Sequence, residues 1–417
     1  MNFEALDIKI KSLAFAERTE RKVLASQIIQ FTETKGVFPA SISKVYSALA
    51  DQKLPPMTIP AINLRGMTYD LARAIWQVIL KLQAGPVIFE LAPSEMTASD
   101  QTAFEYAAMI LAAACREGYQ GPVFIQGDHF HIDSREDINE IKQICQETVS
   151  AGYYHLDIDA ATLINTDGDS PKAVQKPNAE ISALLTGYIR SIQPDGVHIT
   201  VGAEVGEIGS KNTTPEDLIG FMEVYSSTLP SGVSGLDKIS IQTGTRHGGI
   251  VHADGSLAEM PLDLKLAKEL SDLARNQFGI AGLVQHGAST LSMEQLSQLT
   301  ESGIIEVHLA THIQNIVFDH PDFPQDLLSV IKKQLNPTNK GAEGDMLADE
   351  DNQSDLQKFY NARWTAWGTF KQELWNMPEK NKKLILASLQ EWISNLFTAL
   401  RINGKLPLIE SIYKKQD

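Results

Sequence analysis

The stretch GPVFIQGDHFHIDSREDINEIKQICQETVSAGYYHLDIDA, residues 121–160, reads as strand, helix, strand. PVFIQGD (122–128) is an apolar β-rich run, INEIKQICQETVSAG (138–152) has helical apolar spacing, and YHLDIDA (154–160) returns to strand composition. Two strands separated by a helix imply parallel pairing through a crossover. The alternation extends in both directions. Strands are predicted over MTIPAINL (57–64), PVIFELA (86–92), ITVGAEV (199–205), KISIQTG (238–244), GLVQHGA (282–288) and IIEVHLA (304–310). Helical spacing also recurs at 69–82, 101–118 and 262–277. Eight such units between residue 57 and about residue 334 predict an α/β fold, a (β/α)8 TIM barrel, over an open doubly wound sheet.

The barrel is assigned to residues 51–335. Residues 1–50 form an N-terminal helical segment that caps the barrel bottom or packs outside it. Residues 336–356, acidic and rich in turn formers, read as a linker or loop, and 357–417 as a C-terminal helical extension. In that extension, 358–375 and 381–403 are predicted amphipathic helices, and Trp364, Trp367, Trp375 and Trp392 read as packing surface.

Composition excludes several classes. The chain is 43% hydrophobic and 21% charged, with net charge −16 and no basic stripe, so nucleic acid is not an expected partner. An anionic substrate would need locally supplied positive charge, such as a metal or a helix N-terminus. Cys115 and Cys145 form no CxxC and read as buried thiols of a reducing, cytoplasmic compartment. The first 20 residues are charged throughout, unlike a signal peptide. No apolar run approaches the ~20 residues that span a bilayer, so no membrane partner is expected.

Chemistry in such a barrel sits at the C-terminal ends of the strands. The third predicted strand ends in Asp128-His129, and the fourth carries Asp157 and Asp159. The fifth carries Glu204, the sixth runs into TGTRHGG with His247, the seventh ends in QHGAS with His286, and the eighth carries His308, with His312 after it. His129, His247 and His286 can converge across the mouth. Three neutral imidazoles with an open fourth position are the pattern of a catalytic zinc site. His131 is the alternative ligand on the third strand, because His-x-His places both rings on one side of an extended chain. His155, His198, His252 and His320 read as structural or surface residues. The glycines of GTRHGG (244–249) and HGAS (286–289) admit close backbone approach and suit a phosphate. No GxGxxG follows a strand and no Walker-type GK[ST] occurs, so a nucleotide cofactor is not expected. No predicted strand carries lysine near its C-terminal end, which argues against Schiff-base chemistry.

Over residues 57–334 these segments resemble the class II, metal-dependent ketose-bisphosphate aldolases. IPAINL, GDH (127–129), HLDIDA, GAEVGEIGS (202–210), TGTRHGG and VQHGAS match that family's motifs in order. The resemblance implies reversible cleavage of a fructose- or tagatose-bisphosphate-like ketose to dihydroxyacetone phosphate and an aldehyde, in carbohydrate metabolism such as glycolysis. It implies Zn2+ on His129, His247 and His286, with Glu204 as a further metal contact and room for a second or monovalent cation. It makes Asp128 the acid/base and Asp157 an acid supporting the site. Asn63, Gly248, Gly287, Ser289 and Thr311 would bind substrate and phosphate. A homo-oligomer is expected. The sequence also departs from the family pattern. The loop GSKNTTPED (209–217) lacks the family's catalytic glutamate, for which Glu207 or Glu216 are substitutes. His308-Leu309-Ala310-Thr311 replaces Asn-x-Asp-Thr, and Ile158-Asp159 replaces Gly-Ser. These departures keep two alternatives open: a non-catalytic partner subunit, and a different zinc-dependent barrel lyase or hydrolase.

Overall fold

The computed structural model describes residues 2–206, 211–245, 262–335 and 355–414. Nine strands lie among them. They are β1 (Val37–Pro39), β2 (Ile59–Asn63), β3 (Ile88–Glu90), β4 (Gly121–His131), β5 (His155–Asp159), β6 (Thr200–Val205), β7 (Lys238–Ile241), β8 (Leu283–Gln285) and β9 (Ile304–Leu309). Strands β2 to β9 pair in parallel and in order, and β9 pairs back onto β2, so eight of them close a barrel. Each predicted strand is present inside its predicted span except β4, which begins one residue earlier and runs on to His131.

β1 lies in the segment expected to be wholly helical. Its cause is the length of β4: Gly121–Val123 extend past β3, and Val37–Pro39 pair with them. Pro39 is tolerated because β1 is an edge strand. The helix Ser43–Ala50 then caps the start of the barrel, its Tyr46 hydroxyl bonded to Glu306 on β9. Helices Phe3–Ala14 and Arg18–Glu33 instead pack outside, over Ala103–Arg116. That last helix, AFEYAAMILAAACR, is buried from Ala103 to Cys115. An all-round apolar helix needs cover on both sides, and the barrel and the N-terminal layer supply it.

The predicted helix 358–375 is broken into Asp355–Ala362, Ala366–Thr369 and Lys371–Trp375. The break brings two close approaches: a Cβ at Gly368 would lie 2.2 Å from the Ala98 carbonyl oxygen, and one at Gly66 would lie 2.3 Å from the Trp367 ring. Glycine is required where chains approach this closely. Trp392 stacks on His312 at 4.3 Å, so the extension is seated beside the strand β9 end.

The interior of the barrel is polar at its middle level. Lys238, wholly buried at the start of β7, donates to Gln126 Oε1 at 2.8 Å and Asp157 Oδ2 at 2.9 Å, and also to Glu306. One ammonium thus ties β4, β5, β7 and β9. Burial opposes its charge, but Asp157 and Glu306 outweigh burial and hold its pKa above the ordinary lysine value. Gly202 on β6 makes room for the pair: a Cβ there would stand 2.2 Å from Asp157 Oδ1. Below it His155 lies 2.7 Å from Thr200 Oγ1 and 3.1 Å from the Ala40 carbonyl oxygen. Burial, aided by the Lys238 charge, pushes its pKa down to about 3.

Two predictions follow from this interior. Gly202→Ala is expected to cost about 1–3 kcal/mol by overpacking. Denaturant unfolding checks it, and an unchanged midpoint would show that the ion pair can shift. His155 is neutral when folded, while an unfolded histidine titrates near 6.5. The unfolded chain therefore binds more protons between pH 6.5 and about 3, and stability falls with pH across that window by up to ~1.4 kcal/mol per unit. His155→Gln is expected to flatten the fall between pH 6.5 and 4; an equally steep loss in the variant would assign it to other groups.

Candidate active site

Adjacent residues of a regular strand point to opposite faces. Asp128 and His129 do not, because β4 carries a bulge: its register with β5 shifts between Gly127 and Phe130, and His129 has φ of +43°. Gly127 permits it, since a Cβ there would stand 2.3 Å from the Phe130 ring. The bulge turns both side chains toward the mouth. His129 Nδ1 lies 2.9 Å from Glu204 Oε1 and 3.1 Å from Asp159 Oδ2. Asp128 Oδ1 lies 3.2 Å from His308 Nδ1. The rings of His129 and His286 stand 4.5 Å apart, and those of His286 and His308 stand 4.1 Å apart.

The electrostatics follow from burying acids and imidazoles together. Burial opposes protonation of His129, but the carboxylates of Asp128 and Glu204 outweigh it and hold its pKa well above the ordinary histidine value. Burial and the Asp159 charge push Glu204 up to about 7, against the opposing pull of His129. Burial and Asp128 push Glu90 up to about 7, with His308 opposing. Burial would raise Asp159, yet hydrogen bonds from His129 and His131 hold it well below the usual carboxylate range.

Two overlapping sets of donors face the mouth. His129, Glu204 and His286 bring ligand atoms within 4.8 Å of one another, as do Asp128, His286 and His308. The first set matches the chemistry of a divalent cation: two imidazoles and a carboxylate, with Glu204 Oε1 buried and accepting no aligned hydrogen bond. Asp159 against His129 Nδ1 is the carboxylate–histidine pairing that orients metal-bound imidazoles. The residues therefore fit a metal.

The structure brings four of the expected site residues together, Asp128, His129, Glu204 and His286. His247, Gly248 and Glu207 lie outside the described residues. Gly287, with φ of +66°, follows His286 directly. Ser289 accepts from the Ala310 N–H at 3.1 Å, next to buried Thr311, so three expected phosphate contacts share one corner. Asn63 ends β2 and donates to Glu95 at 2.6 Å, while its register partner on β3 is Glu90. Asp157 lies one level down, bound to Lys238 and 3.8 Å from His308. His131 bonds to Asp159 and Asp133 at 2.9 Å each and joins neither donor set. Glu216 is exposed in the first turn of the helix Pro215–Thr228. His155, His198 and His320 have structural partners in Thr200, Asp237 and Ser388.

Sequence reasoning placed Asp159 and His308 at strand ends without giving them a role, and it passed over Glu90, which ends β3 and carries the same signal. Lys238 stands at the opposite end of its strand and is clamped as an ammonium, so it offers no amine for Schiff-base formation.

A parallel eight-stranded barrel with a metal-type donor set at the C-terminal mouth defines a class of enzymes rather than one activity. The family comparison narrows it. The profile of fructose-bisphosphate aldolase class-II matches residues 44–362, and the chain belongs to that family. The family generally uses a divalent metal. Solved structures share the fold. The YdjI aldolase of Escherichia coli K12 is 15% identical, with 88% of this chain and 100% of that chain covered and a TM-score of 0.51. The fructose-bisphosphate aldolase of Campylobacter jejuni is 16% identical, with 88% and 98% covered and a TM-score of 0.50. The fructuronate-tagaturonate epimerase UxaE of Cohnella laeviribosi, in a glycerol complex, is 12% identical, with 92% and 86% covered and a TM-score of 0.60. At these identities the likeness is one of fold. No helix among the described residues is long and apolar enough to cross a membrane.

Asp159→Asn is expected to weaken divalent-metal affinity about 10–100-fold, the usual effect of removing a carboxylate that orients a ligand histidine. Competition against a chromophoric chelator measures it. Wild-type affinity in the variant would mean that Asp159 does not orient His129 toward a metal.

Proposed function

We propose that this chain is a metal-dependent aldolase that reversibly cleaves a phosphorylated ketose of the fructose- or tagatose-bisphosphate type to dihydroxyacetone phosphate and an aldehyde. The observation that carries the reading is the bulge in β4, which aims an acid and a candidate ligand, Asp128 and His129, into one mouth with Glu204 and His286. His129, Glu204 and His286 would hold the ion, with His247 as the further ligand that the family resemblance implies. A zinc ion held there would supply Lewis-acid polarisation of the ketose carbonyl. Asp128 accepts the proton of the hydroxyl beside the scissile bond, and that carbon becomes the aldehyde carbonyl. The bond's electron pair stays with the ketose fragment, whose carbon then takes a proton from water while Asp128 gives its own back to solvent, which closes the balance. In synthesis Asp128 returns its proton to the new alkoxide. Gly287, Ser289 and Thr311 form the corner where a phosphate would be held, close to the N-terminus of the helix Thr311–Phe318.

The test joins elemental analysis of chelator-free protein to triose-phosphate release from fructose and tagatose bisphosphates. One zinc per chain with cleavage is expected. Asp128→Ala is expected to keep its metal and lose about 10²-fold or more in kcat, the scale of a general acid/base. Metal without cleavage of either sugar would overturn the substrate, and no metal after addition of zinc would overturn the ligand set.

A further inference from the structure

We propose that His308 is a positioning residue that aims the Asp128 carboxylate, an inference that rests on the aldolase reading and adds a residue to its machinery. The need arises from the bulge. Ladder pairing between β4 and β5 is interrupted between Gly127 and Phe130, so Asp128 stands where the backbone is least restrained by its neighbour strand. A carboxylate that must meet one substrate hydroxyl needs side chains to fix its direction.

His308 is built to supply that fixity. It projects from β9, which pairs on both sides, with β2 and β8. Its Nε2 lies 2.7 Å from Glu306 Oε1. Glu306 in turn takes the Lys238 ammonium and the Tyr46 hydroxyl, so the anchor beneath the ring is itself held from three strands and the capping helix. The ring of His286 lies against one side at 4.1 Å and 43°. An imidazole fixed in this way cannot turn without losing the Glu306 contact. Its other nitrogen, Nδ1, is thereby set 3.2 Å from Asp128 Oδ1 and 3.0 Å from Glu90 Oε2. The residue is only 5% exposed, so water does not readily replace these contacts. Its two nitrogens divide the work: Nε2 fastens the ring to the middle level of the barrel and Nδ1 faces the acid.

That division gives the test. The amide nitrogen of asparagine can stand where Nδ1 stands, and that of glutamine where Nε2 stands. If His308 aims Asp128, His308→Asn, which loses the Glu306 anchor but can still donate to Asp128, keeps clearly more of the wild-type kcat than His308→Gln. His308→Gln then loses about 10²-fold in kcat, the scale of a misplaced reacting group, with KM nearly unchanged. Elemental analysis is expected to find the same metal content in both. If His308 only braces the barrel through Glu306, the order reverses, with glutamine active and asparagine impaired, and the proposal fails. A second arm needs no turnover. Thermal midpoints of chelator-treated wild type, Asp128→Asn, His308→Gln and the double variant report whether the two side chains are coupled. Shifts that do not add support the pair, and additive shifts overturn it. Should the wild type cleave neither bisphosphate, the aldolase reading falls, while the midpoint cycle still decides whether His308 holds Asp128.

Discussion

The ammonium of Lys238 organises the barrel. A closed parallel barrel of this size is ordinarily filled by branched apolar side chains. Here the middle level holds Gln126, Asp157 and Glu306 around one buried lysine. Desolvating these charges is costly, and breaking such a pair by removing one partner typically costs about 3–5 kcal/mol. The network is thus weak evidence of stability but strong evidence of specification. It fixes which faces of β4, β5, β7 and β9 point inward, and therefore which residues stand one level higher, at the mouth. Gly202 has no side chain because Asp157 and Lys238 occupy its space.

From that level upward the site is assembled by alternation and by one deliberate violation of it. Asp157 and Asp159 on β5, Gly202 and Glu204 on β6, and Glu306 and His308 on β9 follow the period of two that a strand imposes. β4 follows it only to Gly127, and the bulge then admits Asp128 and His129 together. The positive φ of His129 is a strained conformation for a residue with a side chain, of order 1–3 kcal/mol, and such strain persists where surrounding contacts over-determine it. Those contacts are Glu204 and Asp159, so the strain and the placement of the His129 ring at the mouth have one cause.

The barrel was legible in the sequence because strand and helix periods differ and alternate cleanly over eight units. The mouth was legible in part, because acids and histidines recur at strand ends. What escaped had specific reasons. β1 depends on the overhang of β4, which no local pattern at Val37–Pro39 reveals. The broken helix after residue 362 depends on the approach of Trp367 to Gly66 and of Gly368 to Ala98, contacts distant in the chain. His308 and Asp159 were visible as departures from a family pattern, but they reach partners on β3 and β4, so only the closed barrel shows what they touch. Lys238 was invisible as an interior residue because it begins its strand, where a lysine normally reaches solvent.

The two donor sets at the mouth share His286, and their surroundings differ. Both ring nitrogens of His308 face carboxylates, Glu306 at 2.7 Å and Glu90 at 3.0 Å. Burial opposes its charge, but Glu90 and Asp128 outweigh burial and hold its pKa well above the usual value. The pKa of His129 is raised likewise, but its contacts within 3.1 Å, to Asp159 and to the candidate ligand Glu204, converge on Nδ1, while Asp128 stands 3.7 Å from Nε2. Carboxylate on one nitrogen and metal on the other is the usual state of a ligand histidine. That contrast favours His129, Glu204 and His286 as the set that would hold a divalent ion in the proposed reading. In the proposed reading Asp128, 3.2 Å from the His308 ring, is then left for proton transfer, the division of labour that a metal-assisted cleavage requires.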